Sequence, residues 1–206
     1  TKLNKQIFEA IYYAAVSESA DLAEIYGSYP LFEGSPHSQG MLQFDMWDYT
    51  QFEYITTDQW CELKDRVKRG MRNSQLTALM PTASASIFMG FNESFECIVS
   101  NMYRKNNIAG ENVVCNRYMM NHLKELGLWD IEMKERILGN QGKIPEDAGV
   151  PEEVRRLYKS IYEVGNKASI DLCADRGPFI DQSQSMNLYF DQPSNDQLIA
   201  CLKHAW

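Results

Sequence analysis

The run Leu76-Thr77-Ala78-Leu79-Met80-Pro81-Thr82-Ala83-Ser84-Ala85-Ser86 constrains the fold more than any other stretch of the chain. Its apolar, partly β-branched first half has strand character and halts at Pro81, which cannot continue a ladder. Small and hydroxyl-bearing residues follow at once, the composition of a helix start. Strand, proline and helix in that order gather unpaired backbone N–H groups at one point, where the helix dipole favours negative charge. A phosphate cradle that uses no lysine and no glycine-rich loop is one reading. An ordinary helix cap, in which Ser and Thr satisfy orphan amides, is the other. Spacing alone leaves both open.

The 206 residues suffice for one domain with a substantial core, and two small domains are possible without being required. A composition that is 44% hydrophobic and 23% charged is that of a soluble globular protein. No apolar stretch approaches the length that crosses a bilayer, and Thr1 to Tyr12 lacks a signal peptide's basic start and apolar centre. The expectation is a cytoplasmic protein with no membrane partner. The net charge of −8 argues against a general nucleic-acid binder, which needs clustered Lys and Arg, yet a local site for a nucleotide-sized ligand remains compatible. Cys61, Cys97, Cys115, Cys173 and Cys201 make no C-x-x-C pair, and His37, His122 and His204 are scattered. Reduced thiols and no metal site are expected.

Leu3, Ile7, Phe8, Ile11, Ala14, Ala15 and Leu22 recur at helical spacing, which predicts a helix from about Leu3 to Tyr26 with Gly27 as its stop. Ser28 to Thr50 holds Pro30, Gly34, Pro36 and Gly40 and reads as mostly loop, its aromatics packed onto a body. Thr57 or Asp58 caps a short helix carrying Trp60, Leu63 and Val67 that ends near Gly70. Asn116 caps a helix with Tyr118, Met119, Leu123 and Leu126 on one face, and a second short helix runs from Asp130 to about Leu138. Asn140 to Pro151 is a turn-rich break. Val154, Leu157, Tyr158, Ile161, Val164, Ala168 and Leu172 then line one long helix toward Ala174, and a strand follows from Phe179 to Asn187. Long helices with few strands argue for α/β architecture with buried parallel strands. So few strands make a small sheet, which is expected to belong to a larger one.

Trp60, Leu63, Gly70-Met71-Arg72-Asn73, Thr77-Ala78 and Pro81 stand in the order and spacing of a signature of the ribonucleotide reductase large subunit. The resemblance runs on through Met80-Pro81-Thr82-Ala83-Ser84, Gly90 and Asn92-Glu93-Ser94, and resumes at Phe179-Ile180-Asp181-Gln182-Ser183-Gln184-Ser185-Met186-Asn187. Upstream, Leu3-Asn4-Lys5-Gln6-Ile7-Phe8-Glu9 and Glu33-Gly34-Ser35-Pro36 are similar to the eukaryotic and viral class I enzymes. The similarity covers essentially residues 1–206, as a C-terminal segment of the catalytic domain. It implies an α/β barrel of ten strands in two parallel halves, within which the 2′-hydroxyl of ribonucleoside diphosphates is reduced by radical chemistry. In that family the segment matching Thr82, Ala83, Ser84 and Ala85 binds the substrate diphosphate. The implied partners are a ribonucleoside diphosphate, the remainder of the large subunit and a small radical-generating subunit. No cofactor is expected in this segment, since the radical comes from the small subunit and nucleotide effectors bind elsewhere.

The chain departs from the family pattern at Ala85, where threonine is usual, and at Cys97, where proline is usual. The first removes a hydroxyl from the expected cradle. Glu93 and Glu96 take no catalytic role from the resemblance, and Gln182 to Ser185 suggest a strand facing a polar barrel interior. No N-x-C-x-E element, which carries the family's thiyl-radical cysteine, occurs here, and Tyr12-Tyr13 do not match its radical-passing tyrosine pair. The resemblance therefore implies no catalytic residue in this chain, and by itself the chain is expected to be inactive. The competing expectation is a non-catalytic scaffold or interaction module in which Thr82 to Ser86 is only a cap.

Overall fold

The computed structural model describes residues 2–107 and 110–206, which form two compact units. The first comprises residues 1–80 and 170–186. It opens with α1 (Lys2–Tyr26), whose Phe8, Tyr12, Val16 and Ala20 recur every fourth residue and are buried. The amide of Gly27 closes the helix on the carbonyl of Ala23 at 2.9 Å. The following loop is held by two 3₁₀ turns, His37–Gln39 and Gln43–Trp47, and buries Phe32, Leu42, Phe44 and Ile55.

Helix α2 (Thr57–Val67) starts one residue earlier than the sequence suggests, because Thr56 is the cap. The Thr56 hydroxyl accepts from the Gln59 amide at 3.3 Å while the Gln59 side chain accepts from the Thr56 amide at 2.9 Å. Its buried stripe is Trp60, Leu63 and Val67. Trp60 meets Phe44 at 4.7 Å and Tyr13 at 5.1 Å between ring centroids, both nearly edge-on, so aromatic rings make the centre of this core. A carboxylate also lies inside: Glu9, fully buried on α1, accepts from the amides of Glu53, Tyr54 and Ile55 at 2.8, 3.2 and 2.7 Å.

The second unit comprises residues 81–169 and 187–206. It contains α3 (Ala83–Met89) and an antiparallel hairpin of β1 (Met102–Asn107) and β2 (Gly110–Cys115), with Met102 opposite Cys115. Helices α4 (Arg117–Glu125) and α5 (Ile131–Gly139) follow, each started by the residue the sequence indicates. Asn116 accepts from the Tyr118 amide at 3.1 Å, and Asp130 from the Met133 amide at 2.7 Å. Met102, Met119, Leu123, Met133, Ile137, Ile144 and Val154 form the core.

Gly142 turns the chain back beside the hairpin at φ +80°, and a Cβ there would lie 2.9 Å from the backbone nitrogens of both Asn101 and Met102. Gly142→Ala is accordingly expected to destabilise this unit by about 2 kcal/mol, through a strained backbone and an unyielding contact. Urea denaturation measures it. A loss below about 0.5 kcal/mol, the range of a neutral surface change, would contradict the close approach.

Two expectations need correction. The long helix expected across Val154 to Ala174 is three: α6 (Glu152–Leu157), α7 (Ile161–Val164) and α8 (Asn166–Arg176), of which Ile170 onward belongs to the first unit. The Ser160 amide donates to Glu163 at 2.8 Å in a capping box, and Gly165 at φ +84° ends that turn. Local capping and a left-handed residue therefore break a continuous apolar period.

The parallel strands are the second correction. Among the described residues the ladder is one antiparallel pair, and neither Leu76–Met80 nor Phe179–Asn187 lies in a strand. In the first unit these segments meet through an irregular clasp instead. The Asp181 carboxylate accepts from the amides of Leu76 at 2.6 Å and Thr77 at 3.1 Å, the Thr77 hydroxyl donates to the Phe179 carbonyl at 2.9 Å, and the Asp181 amide donates to the Thr77 carbonyl at 3.1 Å. A side chain takes amides that a neighbouring strand would otherwise take, so β propensity without a ladder partner does not make a strand. The sequence reading also passed over the hairpin and the last helix, α9 (Asn195–Ala205), which Ser194 caps. No helix of the described residues is long and apolar enough to cross a membrane.

Candidate functional site

Within the second unit, Thr82 immediately precedes α3, and Ala83, Ser84 and Ala85 form its first turn; all four are exposed. The first intrahelical bond runs from the Ser86 amide to the Thr82 carbonyl at 2.8 Å. Helical geometry therefore leaves the N–H groups of Ala83, Ser84 and Ala85 without an intrahelical acceptor, directed out of the helix start. Three amides, a partial positive charge and small side chains that would let an anion approach make up the candidate site. Ser86 is buried, and its hydroxyl donates back to the Ala83 carbonyl at 3.3 Å. It does not replace the hydroxyl that Ala85 lacks.

Thr82 sits at φ +52°, a left-handed conformation that a β-branched residue adopts only under constraint. The constraint comes from Ser94, itself left-handed at φ +62°. The Ser94 amide donates to the Pro81 carbonyl at 3.0 Å and reaches the Thr82 hydroxyl oxygen at 3.2 Å, while the Ser94 hydroxyl donates to the same carbonyl at 3.4 Å. With its oxygen accepting from Ser94, the Thr82 hydroxyl keeps its own proton to give to a ligand. Strain of about 1–3 kcal/mol at such a residue persists only where surroundings over-determine it, a pattern typical of ligand-binding positions.

The other end of α3 is held as firmly. The Phe91 amide donates to the Ser86 carbonyl at 3.0 Å, and the Arg117 guanidinium donates to the Met89 carbonyl at 3.2 Å. A cation at the C-terminal end complements the dipole whose positive end faces the exposed first turn.

Glu96 closes the loop after α3. Its carboxylate accepts from the Asn187 amide at 2.8 Å, from the Asn187 side chain at 3.0 Å and from the Tyr189 hydroxyl at 2.7 Å. Partial burial, the largest influence, pushes the Glu96 carboxyl upward, but the hydrogen bonds from Tyr189 and Asn187 together outweigh it and hold the group below its ordinary range. Burial and then the Glu96 carboxylate push the Tyr189 hydroxyl up to about 12. The depressed Glu96 contributes stability that is complete above the ordinary carboxylate pKa and is lost as pH falls through its own. The raised Tyr189 contributes below about pH 10 and loses it as pH rises through about 12. A pH titration of stability should therefore show this clamp intact from about pH 5 to 10 and weakening on both sides. In a Glu96→Ala variant the contribution of this pair should vanish from both limbs.

The sequence singled out Thr82 to Ala85, and the structure brings them together at one exposed turn. Sequence reasoning missed Ser94 and Glu96 as their supports. The signal was present in Asn92-Glu93-Ser94 following the helix, but nothing in a serine announces a left-handed backbone. Among the described residues no cluster of His, Cys, Asp and Glu could hold a metal ion.

A family model described as "Ribonucleotide reductase, barrel domain" matches residues 1–206. The chain belongs to this family. Its relatives include the ribonucleoside-diphosphate reductase large chain of Cryptosporidium parvum, 47% identical over 206 residues, all of this chain and 25% of that protein. The large chain of Schizosaccharomyces pombe is 43% identical over the same extent and share. The large subunit of Acanthamoeba polyphaga mimivirus is 42% identical over 205 residues, 99% of this chain and 23% of that protein. The chain thus spans about a quarter of the length of these curated relatives. Membership bears out the recognition made from Gly70-Met71-Arg72-Asn73 and Met80-Pro81-Thr82-Ala83-Ser84.

Proposed function

We propose that this chain is the segment of a ribonucleoside-diphosphate reductase large subunit that binds the substrate's diphosphate, at Thr82, Ala83, Ser84 and Ala85. The observation that carries the reading is the exposed first turn of α3, with three amides open and a Thr82 hydroxyl whose oxygen is already occupied by Ser94. The amides supply most of the binding, and the Thr82 and Ser84 hydroxyls add hydrogen bonds to phosphate oxygens. Ala85 contributes its N–H alone. The chain's part in the reaction is to hold and orient the nucleotide; the radical that attacks the ribose arises on residues outside this segment. In the intact subunit the segments Leu76–Met80 and Phe179–Asn187 gain ladder partners and join the wall of a ten-stranded barrel. The partners are the rest of the large subunit and a small radical-generating subunit, in the cytoplasm.

Titrating pyrophosphate or a nucleoside diphosphate while recording amide chemical shifts tests the cradle. Shifts centred on Thr82 to Ala85 are expected; a silent spectrum from folded protein would favour a scaffold whose Thr82–Ser86 is only a cap. The same chain, given a small subunit and reductant, is expected to produce no deoxynucleotide. Turnover by this polypeptide alone would refute the division of labour.

A further inference from the structure

The loop that follows α3 is pinned at two points, and the exposed turn depends on what lies between them. At its start, the Phe91 amide and Arg117 fix it to the end of α3. At its far end, the Asn92 side chain donates to the Glu96 carbonyl at 2.9 Å, and the Glu96 carboxylate takes the amide and side chain of Asn187 and the hydroxyl of Tyr189. That second anchorage is itself fixed. Asn166, buried at the start of α8, donates to the Tyr189 carbonyl at 2.8 Å and accepts from its amide at 2.9 Å, in the manner of a strand neighbour. Between the two anchors stands Ser94, the residue that holds Pro81 and Thr82. Both Ser94 and Thr82 are left-handed, so neither conformation persists unless the loop is held.

We propose that Glu96 is a positioning residue for diphosphate binding, acting through Ser94 to keep the Thr82 hydroxyl and the first amides of α3 in register. This rests on the cradle reading above and assigns Glu96 no contact with substrate. Without its carboxylate, the Asn187 and Tyr189 donors lose their acceptor and the loop's far end is released. Ser94 then no longer over-determines Thr82, which relaxes toward an ordinary backbone conformation and turns its hydroxyl away. Substrate phosphate is held less tightly, while the chemistry performed elsewhere is unaffected.

The test uses the full-length large subunit carrying this segment, assayed with its small subunit against a nucleoside diphosphate. Glu96→Ala is expected to raise KM about tenfold with kcat within about twofold, the signature of lost binding and not of a lost chemical step. Glu96→Gln retains one acceptor oxygen, and Tyr189→Phe removes a single donor; each should raise KM about two- to threefold. Ala85→Glu, which obstructs the cradle directly, is the reference. If Ala85→Glu leaves KM unchanged, the cradle reading fails and this inference with it. If Ala85→Glu raises KM while Glu96→Ala does not, the positioning role alone is overturned. Should Glu96→Ala lower the melting temperature too far for assay, Glu96→Gln and Tyr189→Phe decide: a KM rise supports the role, and an unchanged KM removes it. A fall in kcat with unchanged KM also overturns it.

Discussion

Replacing Glu9 with alanine is expected to cost about 3–5 kcal/mol, more than any other single change considered for this chain. The side chain is fully buried on α1, where a carboxylate is tolerated only because it is saturated with donors. Those donors are three successive amides, Glu53, Tyr54 and Ile55, at 2.8, 3.2 and 2.7 Å. They belong to the stretch just before the Thr56 cap, so Glu9 fixes the loop that delivers α2 to the aromatic core. Truncation strands all three donors and leaves a void where the buried side chain lay. A hydrogen bond to a charged group contributes about 1.5–3 kcal/mol, and the three overlap and do not add fully. Glu9→Gln keeps one acceptor oxygen but turns an NH2 toward the amides, and should lose about half as much. Urea or thermal denaturation of both variants measures the ladder. A Glu9→Ala protein within about 1 kcal/mol of the parent would show that the loop finds other acceptors.

Ala85→Glu is expected to separate binding from stability. A carboxylate in the first turn of α3 interacts favourably with the dipole and should leave the fold unchanged or more stable by about 0.3–1 kcal/mol. The same carboxylate occupies the space and charge that the site offers a phosphate. Two like charges about 4 Å apart near a protein surface repel by several kcal/mol before screening, so diphosphate affinity should fall about a hundredfold. Calorimetric titration beside a melting curve reads both quantities. Weaker binding with equal or greater stability supports the cradle; unchanged binding overturns it. Ala85→Thr, which adds a hydroxyl to the first turn, should move affinity the other way by a few-fold.

Much of the fold was legible because its signals are local. The helical spacing of Leu3, Ile7, Phe8, Ile11, Ala14, Ala15 and Leu22 announced α1 without knowledge of a partner, although of these Phe8 alone is buried and the packed stripe runs through Tyr12, Val16 and Ala20. Asn116 and Asp130 start helices because each side chain satisfies its own amides. The failures were non-local or were local signals overruled. Val154 to Leu172 keeps a helical period across two interruptions, and the Ser160 box with Gly165 prevailed over it. Leu76–Met80 carries strand propensity, but Asp181, over a hundred residues away, supplies the acceptor that meets its amides. No periodicity in the sequence reports which distant group will pair with a backbone.

The site divides along the same line. By itself the sequence determined that small residues after Pro81 would open a helix, because proline and hydroxyl residues act on their nearest neighbours. It also determined the family, since ordered motifs such as Gly70-Met71-Arg72-Asn73 and Phe179 to Asn187 are independent of conformation. Only the tertiary structure decided that Thr82 is left-handed, that Ser94 holds it and that Glu96 is tied to Asn187 and Tyr189. Those contacts join residues 12 and about 90 positions apart, and a hydrogen bond between them exists only once the chain has folded back on itself.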